Sequence, residues 1–397
     1  MDRIYLDHNA TTPLDPRVLD AMVAVLRDGF GNPSSLHWFG QRARSAVEEA
    51  RGPVAALIGA SAAEIVFTAS GTEADNMALR GVAARAREPR RKIVVTSIEH
   101  HAVLNTARAL ADEGIPVETV RVDEAGRVDM ADLRAKVDDQ TALVSVMLAN
   151  NETGVVQPVA DVARIAHERG ALLHCDAVQA AGKVEVDVRS LDVDLLTLSA
   201  HKIYGPKGVG VLYVRRGTAL AAFVRGGAQE RNRRAGTENV AGIVGLGVAA
   251  SLAHEYQERE RLDPGAGLSV RLRALRDGFE TRLLAIPGAE ANGVEPRVPN
   301  TANVSFEGTE AEGLVMALDL MGVAVSTGAA CAAGAIEPSH VLRAMGLPPE
   351  RVQASLRFSL GRATTEAELI RAAEAVRTAV ERQRRSGGHR PGMTAIS

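Results

Sequence analysis

The 397-residue chain has little of what marks several classes of protein. Its two cysteines, Cys175 and Cys331, form no Cys-x-x-Cys pair, so neither a disulfide framework nor a cysteine zinc site is expected. No apolar run is long enough to span a bilayer, and the first residues contain no apolar signal core. A net charge of -3 gives no indication of a nucleic-acid or membrane partner. We therefore expect a cytoplasmic protein.

The pattern that is present is typical of an α/β protein. Short β-branched runs alternate with amphipathic segments between residues 60 and 215, which predicts a mostly parallel sheet with helices on both faces. Gly114 and Gly170 follow two of these segments, where helix C-caps are expected. The seven predicted strands cover residues 64–68, 92–96, 116–120, 142–148, 171–175, 195–198 and 209–214.

The alternation ends near residue 239, and this change predicts two domains. Residues 14–260 would form a large domain that ends in a long helix. Residues 1–13 and 261–385 would form a smaller α+β domain that carries the loop around Cys331. Residues 386–397, rich in glycine and arginine, are predicted to be a mobile tail.

The most informative segment runs from Ser199 to Gly208 and reads Ser-Ala-His-Lys-Ile-Tyr-Gly-Pro-Lys-Gly. It follows a buried strand, and the carboxyl end of such a strand is where ligands of parallel sheets bind. A partly desolvated lysine at this point, Lys202, could form a Schiff base with an aldehyde cofactor. The alternatives are a plain surface lysine, or Lys207 in the same role.

Further candidate residues follow other predicted strands. Asp176 ends one strand, where a buried carboxylate could pair with a protonated pyridine nitrogen, and Gln179 could bind a ring hydroxyl. Asp176 could equally cap the next helix. His100 could stack on an aromatic ring and Asn151 could bind a ring oxygen, although each could be an ordinary loop residue.

A phosphate site is suggested by the segment from Thr68 to Asn76, in which small and hydroxyl residues join a strand to a helix. The free main-chain amides and the dipole of a helix start attract anions, so Gly71 and Thr72 could hold a phosphate. The alternative is an ordinary N-cap.

The two cysteines differ in their surroundings. Cys331 lies in Ser-Thr-Gly-Ala-Ala-Cys-Ala-Ala-Gly, a run of small residues with no apolar period, which suits an accessible nucleophile. A small side chain in a tight packing position is the alternative. Cys175 lies inside a predicted strand and is interpreted as a core residue.

Taken in order along nearly the whole chain, these segments resemble the cysteine desulfurases of the class V aminotransferase family. That family has the type I fold of the pyridoxal-phosphate enzymes. The motifs that carry the resemblance lie at residues 5–13, 31–37, 99–100, 150–154, 176–179, 199–208, 227–230, 234–240, 326–334, 338–342 and 355–362.

The resemblance implies a catalytic role for three residues. Lys202 would carry pyridoxal 5'-phosphate as a Schiff base and remove the α-proton of the substrate. His100 would stack on the cofactor ring. Cys331 would attack the sulfur of L-cysteine, so that alanine leaves and a persulfide stays on the enzyme for transfer to a protein sulfur acceptor.

The resemblance also implies binding roles. Asp176 would pair with the ring nitrogen, and Arg357, with Asn151 and Asn32, would hold the substrate carboxylate. A homodimer is implied as well. The other cofactor contacts would be Gln179 and Asn151 to the ring 3-oxygen, Gly71, Thr72, Ser199 and His201 to the phosphate, and Thr237 to the phosphate in the neighbouring subunit.

The loop pattern is similar to the long-loop class of iron–sulfur assembly and nitrogen fixation. Two departures are present: Ala69 precedes Ser70-Gly71 where relatives place the glycine one position earlier, and Thr-Gly-Ala-Ala stands where relatives carry Ser-Gly-Ser-Ala. The C-terminal tail also lacks the segment that binds the cluster scaffold in housekeeping relatives. Selenocysteine lyase, a kynureninase-like hydrolase and a non-catalytic sulfur-relay scaffold of the same fold are the alternatives.

Overall fold

The computed structural model describes residues 3–265, 267–328, 331–332, 335–336 and 338–387, and only the main chain of 331–336 within these ranges. The side chain of Cys331 and residues 388–397 of the predicted tail therefore lie outside the described residues. The helices are α1 (Pro16–Asp28), α2 (Trp38–Leu57), α3 (Gly71–Ala83), α4 (His101–Asp112), α5 (Met130–Lys136), α6 (Val159–Glu168), α7 (Gln229–Asn232), α8 (Val240–Leu262), α9 (Leu268–Leu284), α10 (Ala311–Leu320), α11 (His340–Ala344), α12 (Pro349–Gln353) and α13 (Glu366–Gly387).

The strands form one large sheet and three small ones. They are β1 (Ile4–Tyr5), β2 (Ile65–Thr68), β3 (Lys92–Thr96), β4 (Val117–Val120), β5 (Thr141–Met147), β6 (Leu172–Asp176), β7 (Leu195–Ser199), β8 (Gly210–Val214), β9 (Ala289–Ala291), β10 (Thr301–Phe306), β11 (Val323–Ala324), β12 (Cys331–Ala332), β13 (Ala335–Ile336) and β14 (Ser355–Ser359).

The large sheet contains the seven predicted strands in the order β2-β8-β7-β6-β5-β3-β4. Only β8 runs antiparallel to its neighbours, so the prediction of a mostly parallel seven-stranded sheet is confirmed. Most of the strands are buried on both faces because helices cover both, whereas the edge strand β4 is partly exposed. In β3, for example, Ile93 and Val95 pack on the side of α3 and α4, whereas Val94 packs on the side of α2, α6 and α8.

A separate apolar cluster lies outside this sheet. It joins β1 to α9, β10, α13 and β14, with Phe279 and Phe358 in edge-to-face contact at its centre. The N-terminal residues Ile4 and Leu6 belong to this cluster rather than to the large sheet. The division into two domains, with residues 1–13 grouped with the C-terminal part of the chain, stays a prediction.

Candidate active site

A cavity of about 240 Å³ opens at the carboxyl ends of the parallel strands. Consecutive strand ends bring distant parts of the chain to the same edge of the sheet, which is where ligands of such sheets bind. The N-terminal segment and β14 close the cavity from the other side. Six of the predicted site residues line it: His100, Asn151, Asp176, Gln179, Lys202 and Arg357.

Lys202 ends a short 3-10 turn that follows β7 directly. The chain then reverses at Tyr204, with a φ of 67°, and at Gly205, where a Cβ would lie 2.8 Å from the Ala200 carbonyl oxygen. The Lys202 Nζ donates to the carbonyl oxygens of Asn9, at 2.6 Å, and Ala10, at 2.7 Å. Burial, with Arg357 nearby, lowers the pKa of Lys202 to about 8. The competing Lys207 is exposed and does not line the cavity.

Asp176 is the last residue of β6 and is buried at the floor of the cavity. Its Oδ1 accepts from the Val178 amide at 2.9 Å, so the capping interpretation accounts for one carboxyl oxygen. Burial raises the pKa of Asp176 to about 6, and the positive charge of Lys202 opposes this shift. A cation in the cavity would therefore stabilise the charged form of this carboxyl group.

Two further carboxyl groups are buried behind Asp176. No role was predicted for either from the sequence. Asp75 of α3 lies 3.6 Å from the His174 ring and has one oxygen without a hydrogen-bond partner among the described residues. Glu99 accepts from the Thr96 hydroxyl at 2.5 Å and from the Met147 amide at 2.7 Å. Burial raises the pKa of both groups, that of Glu99 to about 8. In the sequence, a polar residue within an otherwise apolar strand, such as His174, was the feature that could have indicated these buried carboxyl groups.

The raised pKa of Glu99 gives a prediction about stability. Between roughly pH 4.5 and 8 the unfolded chain has released this proton while the folded chain retains it, so the free energy of unfolding falls as the pH rises. The slope is at most about 1.4 kcal/mol per pH unit. Glu99→Gln keeps an acceptor for Thr96 and Met147 but cannot ionise, and it should flatten this part of the profile. Urea unfolding from pH 5 to 8 measures the slope, and the exposed Glu118→Gln is the control. Equal slopes in wild type and Glu99→Gln would contradict a protonated Glu99.

The residues predicted to contact a phosphate lie at a second edge of the site. Ser70 caps α3 by accepting from the Glu73 amide at 3.0 Å, so α3 begins at Gly71. A Cβ at Gly71 would lie 3.1 Å from Val178 and 3.4 Å from Ser199, which places the start of α3 against the end of β7. The amides of a helix start have no partner within the helix and attract anions. These residues do not line the cavity itself.

Two details of this edge bear on anion binding. The position where relatives place the glycine is Ser70 in this chain, and the Ser70 hydroxyl is occupied in capping α3. His201 contacts the Thr11 hydroxyl at 3.2 Å, and burial and Lys202 lower its pKa to about 4. At neutral pH the His201 ring is therefore an uncharged hydrogen-bonding group.

His100 lies on the wall of the cavity as the N-cap of α4. Its Nδ1 accepts from the Ala102 amide at 3.1 Å, and burial lowers its pKa to about 4. A neutral imidazole with a fixed orientation can lie against a flat aromatic ligand without adding a charge. The prediction that His100 stacks on a ring agrees with this position and stays a prediction.

Arg357, in β14, is buried on the side of the cavity formed by the C-terminal part of the chain. It donates to the Asp7 carboxylate at 2.7 Å and to the Asn151 carbonyl at 3.0 Å. Its Nε has no hydrogen-bond partner among the described residues, although it is buried. A buried donor without a partner is costly, so this edge of Arg357 suits an anionic ligand.

Asn9, for which no role was predicted from the sequence, makes hydrogen bonds with several of these groups. Its carbonyl accepts from Lys202 and, at 2.9 Å, from the Gln179 amide. Its side chain donates to the Asn151 carbonyl at 3.1 Å. Asn9 belongs to the motif at residues 5–13, but its contacts could not be predicted because they depend on how the N-terminal segment crosses the cavity.

Two predicted residues, Asn32 and Thr237, do not line the cavity. Both are exposed, and the Asn32 side chain accepts from the Ser34 amide within its own loop. Thr237 was expected to act in a neighbouring subunit. A single chain tests neither prediction.

The segment that carries Cys331 leaves from the edge of the cavity. Ser326 and Gly328 line the cavity, and Ser326 pairs with Arg357 through both of its main-chain groups. The main chain of β12 and β13 then pairs Cys331 with Ile336. After this segment, the Ser339 hydroxyl donates at 2.5 Å to the buried Glu152, which lines the cavity. Both ends of the segment are thus anchored beside the cavity.

Within the described ranges of the chain, no helix is both long and apolar enough to cross a membrane. Those same ranges contain no group of three or more His, Cys, Asp and Glu side chains arranged to hold a metal ion.

Comparison with known proteins gives consistent matches. The sequence profile described as Aminotransferase class-V matches residues 4–371. A cysteine desulfurase of Trichormus azollae is 48% identical over 386 residues, which cover 97% of this chain and 94% of the relative. A solved NifS-like protein superposes with a TM-score of 0.88 at 38% identity, covering 96% of this chain and 99% of its own. A structure described as SspA in complex with cysteine has a TM-score of 0.78 at 32% identity and covers 91% and 100%.

Proposed function

The chain belongs to the class-V aminotransferase family, and we propose that it is a cysteine desulfurase, which takes sulfur from L-cysteine with pyridoxal 5'-phosphate as cofactor. The observation that carries this proposal is the convergence of Lys202, Asp176 and Arg357 on one cavity. Lys202 has a lowered pKa, and both the Asp176 carboxyl group and Arg357 are buried. The chain is also about half identical to a cysteine desulfurase.

The residues of the cavity fit this cofactor. The raised pKa of Asp176 suits a partner that brings a positive charge, as a protonated pyridine nitrogen does. His100 would lie against the ring, Gln179 and Asn151 would bind its 3-oxygen, and Lys202 would hold it covalently. The phosphate would bind Gly71, Thr72, Ser199 and His201, at the start of α3. When bound, pyridoxal phosphate supplies an electron sink.

The protein residues then divide the remaining work. Arg357 binds the substrate carboxylate through the Nε edge that has no protein partner. Lys202, with a pKa of about 8, can take a proton from the α-carbon and return it when the product forms. The Cys331 thiolate forms a bond to the substrate sulfur as the carbon–sulfur bond breaks. Alanine leaves, and the persulfide on Cys331 passes its outer sulfur to a protein acceptor.

A homodimer is part of the proposal. The Asn32 loop and the neighbouring helices α1 and α2 carry large apolar side chains that are exposed in a single chain, and exposed apolar patches mark interaction sites. A second copy on this surface would bury them and could bring Asn32 and Thr237 to the neighbouring cavity. The exposed side chains are Leu19, Val23, Leu26, Phe30, Leu36, Trp38 and Phe39.

We assign the protein to the cytoplasm, where thiols such as that of Cys331 are kept reduced. The function is tested on protein reconstituted with the cofactor and given cysteine and a reducing thiol. Equal amounts of alanine and sulfide are expected. Protein that stays colourless after reconstitution, or that forms no alanine, would contradict the proposal.

Arg357→Lys is expected to raise the KM for cysteine by about 10- to 100-fold, with a smaller effect on kcat. Lysine keeps the charge but not the planar fork that matches a carboxylate. Arg351→Lys is the control, because Arg351 precedes the same strand and binds Glu290 outside the cavity. Steady-state alanine formation over a range of cysteine concentrations gives both constants. An unchanged KM with a reduced kcat would assign Arg357 another role.

A further inference from the structure

Lys183 has no part in the mechanism above, yet its amine lies within the network of the site. It follows Gln179 by four residues, after the end of β6. Its Nζ donates to the Gln179 Oε1 at 2.7 Å and to the Asn9 Oδ1 at 3.1 Å. Both acceptors are neutral amide oxygens.

These two hydrogen bonds fix the orientation of the amides. The Lys183 amine donates to both side-chain oxygens, so each amide turns its oxygen toward Lys183 and its nitrogen away. For Gln179, the nitrogen then faces the Asn9 carbonyl at 2.9 Å. For Asn9, the nitrogen faces the Asn151 carbonyl, while Asn300 supports its oxygen from the other side.

The orientation matters because both amides contact groups of the cavity. Gln179 lines the cavity, and the Asn9 carbonyl holds the Lys202 amine at 2.6 Å. If the Gln179 amide were reversed, its oxygen would face the Asn9 carbonyl, and two acceptors would meet. The amide nitrogen is also the end of Gln179 that can donate to an anionic ring oxygen.

We propose that Lys183 is a positioning residue for the cofactor: it holds the Gln179 amide so that its nitrogen is directed to the 3-oxygen of pyridoxal phosphate, and it holds Asn9 beside Lys202. This inference rests on the proposed function. Burial, with Lys202 and Arg357 nearby, lowers the pKa of Lys183 well below its usual value. Desolvation therefore opposes the charge of Lys183, yet this partly buried lysine lies where it can donate to two amides.

The test is a double-mutant cycle on cofactor affinity, which needs no turnover. Wild type, Lys183→Met, Gln179→Leu and the double variant are prepared without cofactor, and the Kd for pyridoxal phosphate is measured by fluorescence titration. Lys183→Met should raise the Kd about tenfold, as expected for a lost hydrogen-bond partner. In the Gln179→Leu background the same change should raise the Kd by about twofold or less.

Controls separate positioning from a general effect on the fold. Lys207→Met removes an exposed lysine close to Lys202 and should leave the Kd within about twofold of wild type. Lys183→Arg keeps donors and should restore most of the affinity. Lys183→Gln, which keeps a polar side chain, replaces the methionine variant in the cycle if that variant does not fold.

Two outcomes would overturn the inference: a wild-type Kd in Lys183→Met, or an equal fold-change in both backgrounds, which would mean that Lys183 does not act through Gln179. A wild type that binds no cofactor would instead contradict the proposed function, so the two failures are distinguishable.

Discussion

Replacing Lys202 by alanine is expected to lower the rate of alanine formation from cysteine by about a thousandfold or more, the largest effect of any single change in the cavity. The variant loses both the covalent attachment of the cofactor and the amine that moves the α-proton. The cofactor should still bind, because Asp176, His100 and the start of α3 are unchanged. Reduction of cofactor-loaded protein with borohydride, followed by peptide mass spectrometry, should attach the cofactor to Lys202 in wild type only.

Lys207→Ala is the matched control for this experiment. It removes an exposed lysine from the same turn and should retain both the attachment and most of the activity. If the cofactor were fixed to Lys207 in wild type, or if Lys202→Ala kept its rate, Lys202 would not be the residue that binds and catalyses.

Cys331→Ser should abolish sulfur transfer while cofactor binding is preserved. The hydroxyl of serine is a far poorer nucleophile toward sulfur than a thiolate, so no persulfide can form at this position. In the absence of added reductant, mass spectrometry after a brief incubation with cysteine should find one added sulfur atom on Cys331 in wild type and none in the variant.

The second cysteine provides the control. Cys175 is fully buried in β6, and burial, with Asp176 nearby, raises the pKa of its thiol well above the usual value. Cys175→Ala should therefore form the Cys331 persulfide as wild type does. Added sulfur on Cys175 in wild type would contradict the assignment of the acceptor.

The large sheet was predictable because its strands are short, apolar and β-branched, and because parallel strands with helical connections have few possible arrangements. For the same reason, the residues that follow these strands were expected at one edge of the sheet: Lys202, Asp176, Asn151 and His100. The predicted ends of these strands differ from the structure by one residue at most, as for β6, which extends to Asp176.

Other features of the site depend on contacts that sequence does not specify. Asn9 and Lys183 are more than 170 positions apart and meet only because the N-terminal segment crosses the cavity. The burial of Asp75 and Glu99 close to Asp176 is evident only from the structure. The predicted roles of Asn32 and Thr237 depend on a second copy of the chain and stay predictions.

The anchoring of the Cys331 segment sets a limit on reach. Cys331 is three positions after Gly328, which lies at the edge of the cavity, and three residues of fully extended chain span at most about 11 Å. The return to Ser339 and Glu152 fixes the far end as well. If Cys331 carries the sulfur as proposed, its thiol is therefore confined to a short radius around the edge of the cavity. A protein acceptor would then have to bring its own nucleophile to that radius, which favours a partner that presents a protruding loop or a flexible chain end.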